Sequence, residues 1–125
     1  MAISQEMQRC IETCLECAEE CRVCADICAG MEGMEHCRET CIQCAESCER
    51  TLEKMQAGSN ADCGPCAEMC DRCAEECEKH DHEAMRQCAR VCRECADACR
   101  ASANTPPESM EAETPYEEGA AARYL

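Results

Sequence analysis

The chain has 125 residues, 19 of them cysteine and none tryptophan or phenylalanine, with a formal net charge of −15 at pH 7. That length suits a single folded unit. The acidic balance excludes nucleic acid as a partner, and no stretch approaches the roughly 18 uninterrupted apolar residues of a membrane span.

Four helices are predicted in chain order. The first runs from about Ser4 to Ala29, with Ser4 as N-cap and Ile3 and Met7 extending its apolar face. Gly30 and Gly33 stop it. Cys28 and Cys37 are nine residues apart, about half a turn out of phase, so one continuous helix could not aim both at the same core. The second helix runs from about Met34 to Ala57 and ends at Gly58-Ser59-Asn60. The third starts between Ala61 and Pro65 and ends near His80; Pro65 is tolerated in the first turn. The fourth runs from about His82 to Ala103. Cys77 and Cys88 are in phase, but fusing the last two helices would give a rod of roughly 60 Å, far longer than its partners. A turn at Lys79-His80-Asp81-His82, with Asp81 as cap, is therefore expected. The predicted fold class is all-α, an antiparallel up-down-up-down four-helix bundle over residues 1–103. Residues 104–125, with Pro106 and Pro107 and several glutamates, read as an acidic flexible tail. Tyr116, Tyr124 and Leu125 are its candidates for docking on the bundle or on another copy.

The cysteines set the core. They fall at Cys10, Cys14, Cys17, Cys21, Cys24 and Cys28, then Cys37, Cys41, Cys44 and Cys48, then Cys63, Cys66, Cys70, Cys73 and Cys77, then Cys88, Cys92, Cys95 and Cys99. Alternating steps of three and four put each run on one helix face. Where a bundle normally carries leucine, this one carries thiols. A repeated Cys-Ala-Glu/Asp-x-Cys unit, as at Cys17, Cys24, Cys44, Cys66, Cys73 and Cys95, sets a small helix former beside each thiol and an acid toward water. The odd count, the absence of signal-peptide features in the first residues and the strain of bridging i and i+4 on one helix favour reduced thiols in the cytoplasm.

A buried thiol can serve as a small hydrophobe. A whole core of them sacrifices apolar area at about 25 cal/mol per Å², which metal binding would offset. Side chains at i and i+4 stand about 5–6 Å apart at Cβ, so Cys-x-x-x-Cys pairs can hold an ion in near-linear coordination. Such pairs run from Cys10/Cys14 to Cys95/Cys99 and leave Cys63 over. Soft thiolates select Cu(I), zinc or iron–sulfur clusters. Cu(I) is neutral at one ion per thiolate. Zinc on four thiolates is a dianion, costly when stacked in a dry tube, and wants a tetrahedron where the stripe offers a ladder. The looped spacing of iron–sulfur sites is absent. Multiple Cu(I) ions are the expected cargo, with all 19 cysteines as ligands.

Two features stand apart. Cys63-Gly64-Pro65-Cys66 has the letters of a thiol-redox motif, but the strand–helix–strand context of that motif is missing; a helix start would make Cys63 an easily ionised, reactive thiol. One end of the bundle gathers Met31, Met34, His36, His80, His82 and Met85, a candidate port feeding Cys28, Cys37, Cys77 and Cys88. Methionine at heptad positions is also ordinary core filler. The other end, with Ile3, Met7, Leu52 and Met55, reads as an apolar plug.

The cysteine-lined helices, their Cys-Ala-Glu/Asp-x-Cys units and the helix count resemble the bacterial copper storage proteins over residues 3–103. The resemblance implies a four-helix bundle storing many Cu(I) ions without catalysis, a cytosolic member, the Met/His end as the port, and homo-tetramers. Leu15, Val23 and Ile42 are the candidate contact residues. The expected partners are copper ions, copper chaperones and small-molecule thiols, with no membrane and no nucleic acid. A metallothionein-like zinc or cadmium buffer and a redox protein acting through Cys63 and Cys66 remain the alternatives.

Overall fold

The computed structural model describes residues 4–104. It contains α1 (Gln5–Ala29), α2 (Glu35–Gln56), α3 (Cys63–Glu78) and α4 (Glu83–Ala103). The proposed tail, its two tyrosines and Ile3 lie outside the described residues, apart from Asn104.

Sequence chemistry accounts for the boundaries. The Ser4 hydroxyl accepts the Met7 backbone N–H at 3.0 Å and opens α1. Gly33 at φ 79° and Gly58 at φ 93° take the left-handed turns after α1 and α2, a conformation that glycine adopts without a side-chain clash. The expected turn between α3 and α4 is present, but its cap differs. His82 Nδ1 accepts the Ala84 N–H at 3.1 Å, whereas Asp81 turns outward to pair with Arg86.

Each helix packs on its two neighbours in the order α1, α2, α3, α4 and back to α1, with no close backbone approach between diagonal helices among the described residues. Sulfur neighbours fix the directions. Across α1 and α4, Cys10 faces Cys99 at 3.4 Å, Cys14 faces Cys95 at 3.7 Å, Cys17 faces Cys92 at 3.7 Å and Cys21 faces Cys88 at 3.8 Å. Across α2 and α3, Cys37 faces Cys77 at 4.0 Å, and Cys41/Cys73, Cys44/Cys70 and Cys48/Cys66 follow at 3.9 Å. One number climbs as the other falls by the same step, so both pairs are antiparallel.

Charges clamp the outside. Arg93 reaches Glu78 and Asp71, Arg100 reaches Asp71, and Arg22 joins α1 to Glu49 of α2. These pairs are substantially exposed and each contributes at most about 1 kcal/mol. Met7, Leu52 and Met55 are buried at the plug end. Leu15 and Val23 are exposed as expected, joined by Ile27. Ile42, the third candidate contact residue, packs partly buried against the core. No helix among the described residues is long and apolar enough to cross a membrane.

Candidate metal centre

All nineteen cysteines are free and buried. Even the most accessible, Cys28, is only 2% exposed. The three-four spacing explains this directly, because every run keeps its sulfurs on the stripe each helix turns toward the axis. Alanines beside them, such as Ala45, Ala74 and Ala96, are buried at the helix seams and admit close approach.

The tube is narrow enough for sulfur to meet sulfur in all directions. Cys10 of α1 lies 3.9 Å from Cys63 of α3, and Cys21 lies 4.0 Å from Cys73, both across the axis. Within α1, Cys10/Cys14 and Cys17/Cys21 are 4.0 and 3.9 Å apart; within α4, Cys95/Cys99 are 3.8 Å apart. With metal–sulfur bonds of about 2.3 Å, a linear pair spans about 4.6 Å and a trigonal edge about 4.0 Å. The same-helix pairs therefore sit closer than near-linear coordination requires. They would have to open by more than half an ångström, or a third sulfur must join. A third is at hand: Cys10, Cys14 and Cys99 form a triangle with edges of 4.0, 3.4 and 3.7 Å.

Four-sulfur groups are also present: Cys17/Cys48/Cys70/Cys95, Cys17/Cys21/Cys44/Cys92, Cys21/Cys73/Cys88/Cys92 and Cys24/Cys41/Cys77/Cys88. The ladder thus closes into tetrahedra that spacing along single helices does not reveal, and geometry alone would accept zinc. Sharing decides otherwise. Cys17, Cys21, Cys88 and Cys92 each belong to two groups, so independent four-thiolate ions cannot fill them all. Bridging monovalent ions can, and they leave the dry core near neutrality.

The thiols resist ionisation in key places. Burial, with the neighbouring Cys37, pushes Cys28 up to about 11. Hydrogen bonds with Cys17 and other thiols, together with burial, push Cys21 and Cys92 upward. Cys63, expected to ionise easily at a helix start, is instead pushed up by its hydrogen bond to Cys10 and by burial. It is fully enclosed and also contacts the Ser102 hydroxyl at 3.6 Å, so it is no reactive tip. One consequence concerns alkali. Burial holds the Cys28 thiol protonated beyond its ordinary 9.0, up to about 11. Its contribution is fully present below pH 9 and is lost as pH rises through 11. Denaturant titrations of the reduced, metal-free chain and of Cys28→Ser should diverge across that window, the parent losing the more stability; an identical pH dependence in the two would contradict the buried neutral thiol.

The six residues gathered at one bundle end separate into distinct settings. Met34 and Met85 are buried in the core, and Met31 packs partly buried against it. His82 is engaged as the α4 cap. His36 and His80 meet on Glu76, at 3.5 and 3.3 Å. Glu76 was not singled out from the sequence, although its i,i+4 spacing to His80 was available as a signal.

A family model described as "Copper storage protein" matches residues 3–104. Among solved structures, the apo copper storage protein 3 of Bacillus subtilis is 35% identical, covering 77% of this chain and 97% of its own, with a TM-score of 0.72. A Cu(I)-bound copper storage protein, BsCsp3, is 34% identical, covering 79% and 99%, with a TM-score of 0.74. A cytosolic copper storage protein of Streptomyces lividans, in a structure with five coppers, is 33% identical, covering 82% and 95%, with a TM-score of 0.77. No curated protein matches the chain.

Proposed function

The chain belongs to the copper storage protein family, and on that premise we propose that it stores and buffers Cu(I) in the cytosol, holding many ions on the inward thiolates of all nineteen cysteines. The observation that carries this reading is the line of nineteen reduced, buried sulfurs along one axis. The Cu(I)-bound relative supports the choice of ion, and the cytosolic relative supports the compartment, where thiols stay reduced.

Copper enters at the Cys28 and Cys37 end and passes between sulfurs 3.4–4.0 Å apart. Each ion displaces a thiol proton, so filling releases acid. Met34 and Met85 are buried beneath the rim, and their thioethers serve as weak relay ligands between the outside and the thiols. His36, His80, His82 and Met31 form the outer rim of this port. The protein is not an enzyme in this reading; its strong ligands are enclosed and face no substrate cleft. Copper chaperones and small-molecule thiols are the partners suited to deliver and remove the ion. The exposed Leu15 and Val23 of α1 offer a face for assembly of a homo-tetramer.

The redox alternative is tested by replacing Cys63 and Cys66 with serine and titrating with Cu(I) under argon. Storage predicts a loss of about two ions, in proportion to the thiols removed. A capacity that collapses, or a disulfide reductase activity that vanishes with the pair, would support the redox reading.

A further inference from the structure

Glu76 is the buried charged side chain of the described residues, at 8% exposure. It lies outside the sulfur tube, in a cleft between α2 and α3 that His36, Arg72, Glu75 and Lys79 help to line. A buried carboxylate needs compensation, since desolvation of an unpaired charge is costly. Here three groups converge on it. His36 Nε2 of α2 is 3.5 Å from Oε1, His80 Nε2 is 3.3 Å from Oε2, and Lys79 Nζ is 3.2 Å from Oε1.

The two imidazole distances are informative. A charge-assisted N–H···O bond closes to about 2.7–2.9 Å, and both contacts are longer. Ligands of a tetrahedral ion with bonds of about 2.0–2.1 Å stand about 3.4 Å apart, close to the 3.5 and 3.3 Å between each imidazole nitrogen and its own carboxylate oxygen. Two imidazoles and a carboxylate are also a donor set suited to zinc and other borderline divalent ions. We propose that His36, Glu76 and His80 form a divalent-cation site, fitted to zinc, on the α2–α3 side of the port rim and outside the thiol tube. An ion there ties α2 to α3 beside Cys37 and Cys77. Lys79 occupies the carboxylate when the ion is absent; its side chain is 67% exposed and free to swing away.

The test uses the full chain filled with Cu(I) under argon, so that thiols do not compete for zinc. That filling rests on the storage reading, so copper content is measured in the same sample. A failure to load copper is thereby told apart from a failure of the flank site. Zinc chloride is then added, and bound zinc is counted and its ligands read by X-ray absorption. The expected result is one zinc per chain with a nitrogen/oxygen shell near about 2.0–2.1 Å rather than sulfur near about 2.3 Å. Glu76→Gln, His36→Ala and His80→Ala should each weaken binding by at least about tenfold, as loss of one of three ligands requires. His36 is largely exposed, so His36→Ala leaves the fold intact and keeps the test sharp. Lys79→Ala should tighten binding. Copper-loaded protein that binds no zinc through nitrogen and oxygen, or binds it equally well as His36→Ala, would overturn the site.

Discussion

Filling the reduced chain with Cu(I) is expected to raise its thermal unfolding midpoint by more than about 20 °C. A ligand that binds only the folded state stabilises it by about 4 kcal/mol when present at a thousand times its dissociation constant. One kcal/mol shifts the midpoint of a domain of this size by about 4–8 °C, so a single tight site approaches the expected shift and further sites exceed it. The metal-free starting point is weak for a clear reason. The heptad positions that leucine would fill carry the smaller thiol at Cys14, Cys21, Cys44, Cys70 and Cys92, all fully buried, and each forgoes part of a buried apolar side chain. Calorimetry of apo and copper-loaded samples under argon measures the difference. An unchanged midpoint would mean that copper does not bind the folded core.

The second large effect concerns the middle of the tube. Replacing Cys17, Cys21, Cys44 and Cys92 together removes one complete four-sulfur group, takes Cys17 from a second and takes both Cys21 and Cys92 from a third. Serine keeps the size but presents a hard oxygen that Cu(I) does not favour. Capacity should fall by at least about four ions, one per thiolate removed, and loading should split into two phases. The two surviving sets are Cys24/Cys28/Cys37/Cys41/Cys73/Cys77/Cys88 toward one end and Cys10/Cys14/Cys48/Cys63/Cys66/Cys70/Cys95/Cys99 toward the other. Buried hydroxyls without partners cost about 1–3 kcal/mol each, so the alanine version of the quartet controls for folding, with helicity followed by circular dichroism. Capacity that survives in both versions would place the copper elsewhere.

Much of this was legible in the sequence because a three-four period is a statement about one helix face. The cysteine stripes, the phase break between Cys28 and Cys37, the Ser4 cap and the stops at Gly33 and Gly58 all follow from local rules. What local rules do not contain is the lateral partner. Whether Cys17 meets Cys48 or Cys44 depends on the register between helices, so the four-sulfur groups and the short same-helix distances emerge only in the assembled bundle. The same limit hid Glu76, whose importance comes from His36 on another helix. Ile42 flanks the stripe, where a residue is covered or bare according to how closely the neighbour packs, and here it is partly covered. His82 displaced Asp81 as cap because its extended backbone, φ −147° and ψ 138°, aims Nδ1 at the free Ala84 N–H in the first turn of α4. Cys63 looked like an ionised helix-start thiol, yet Cys10 and Ser102 close over it.

The most direct test of the copper-filled tube is an anaerobic titration of the reduced chain with Cu(I), repeated with zinc in excess, reading bound metal per protein and the ligand shell of the copper. Storage on bridging thiolates predicts saturation near one Cu(I) for each of the 19 cysteines, a shell of sulfur alone, and no displacement by zinc. Saturation near one divalent ion for every four cysteines, with copper failing to displace it, would contradict the account.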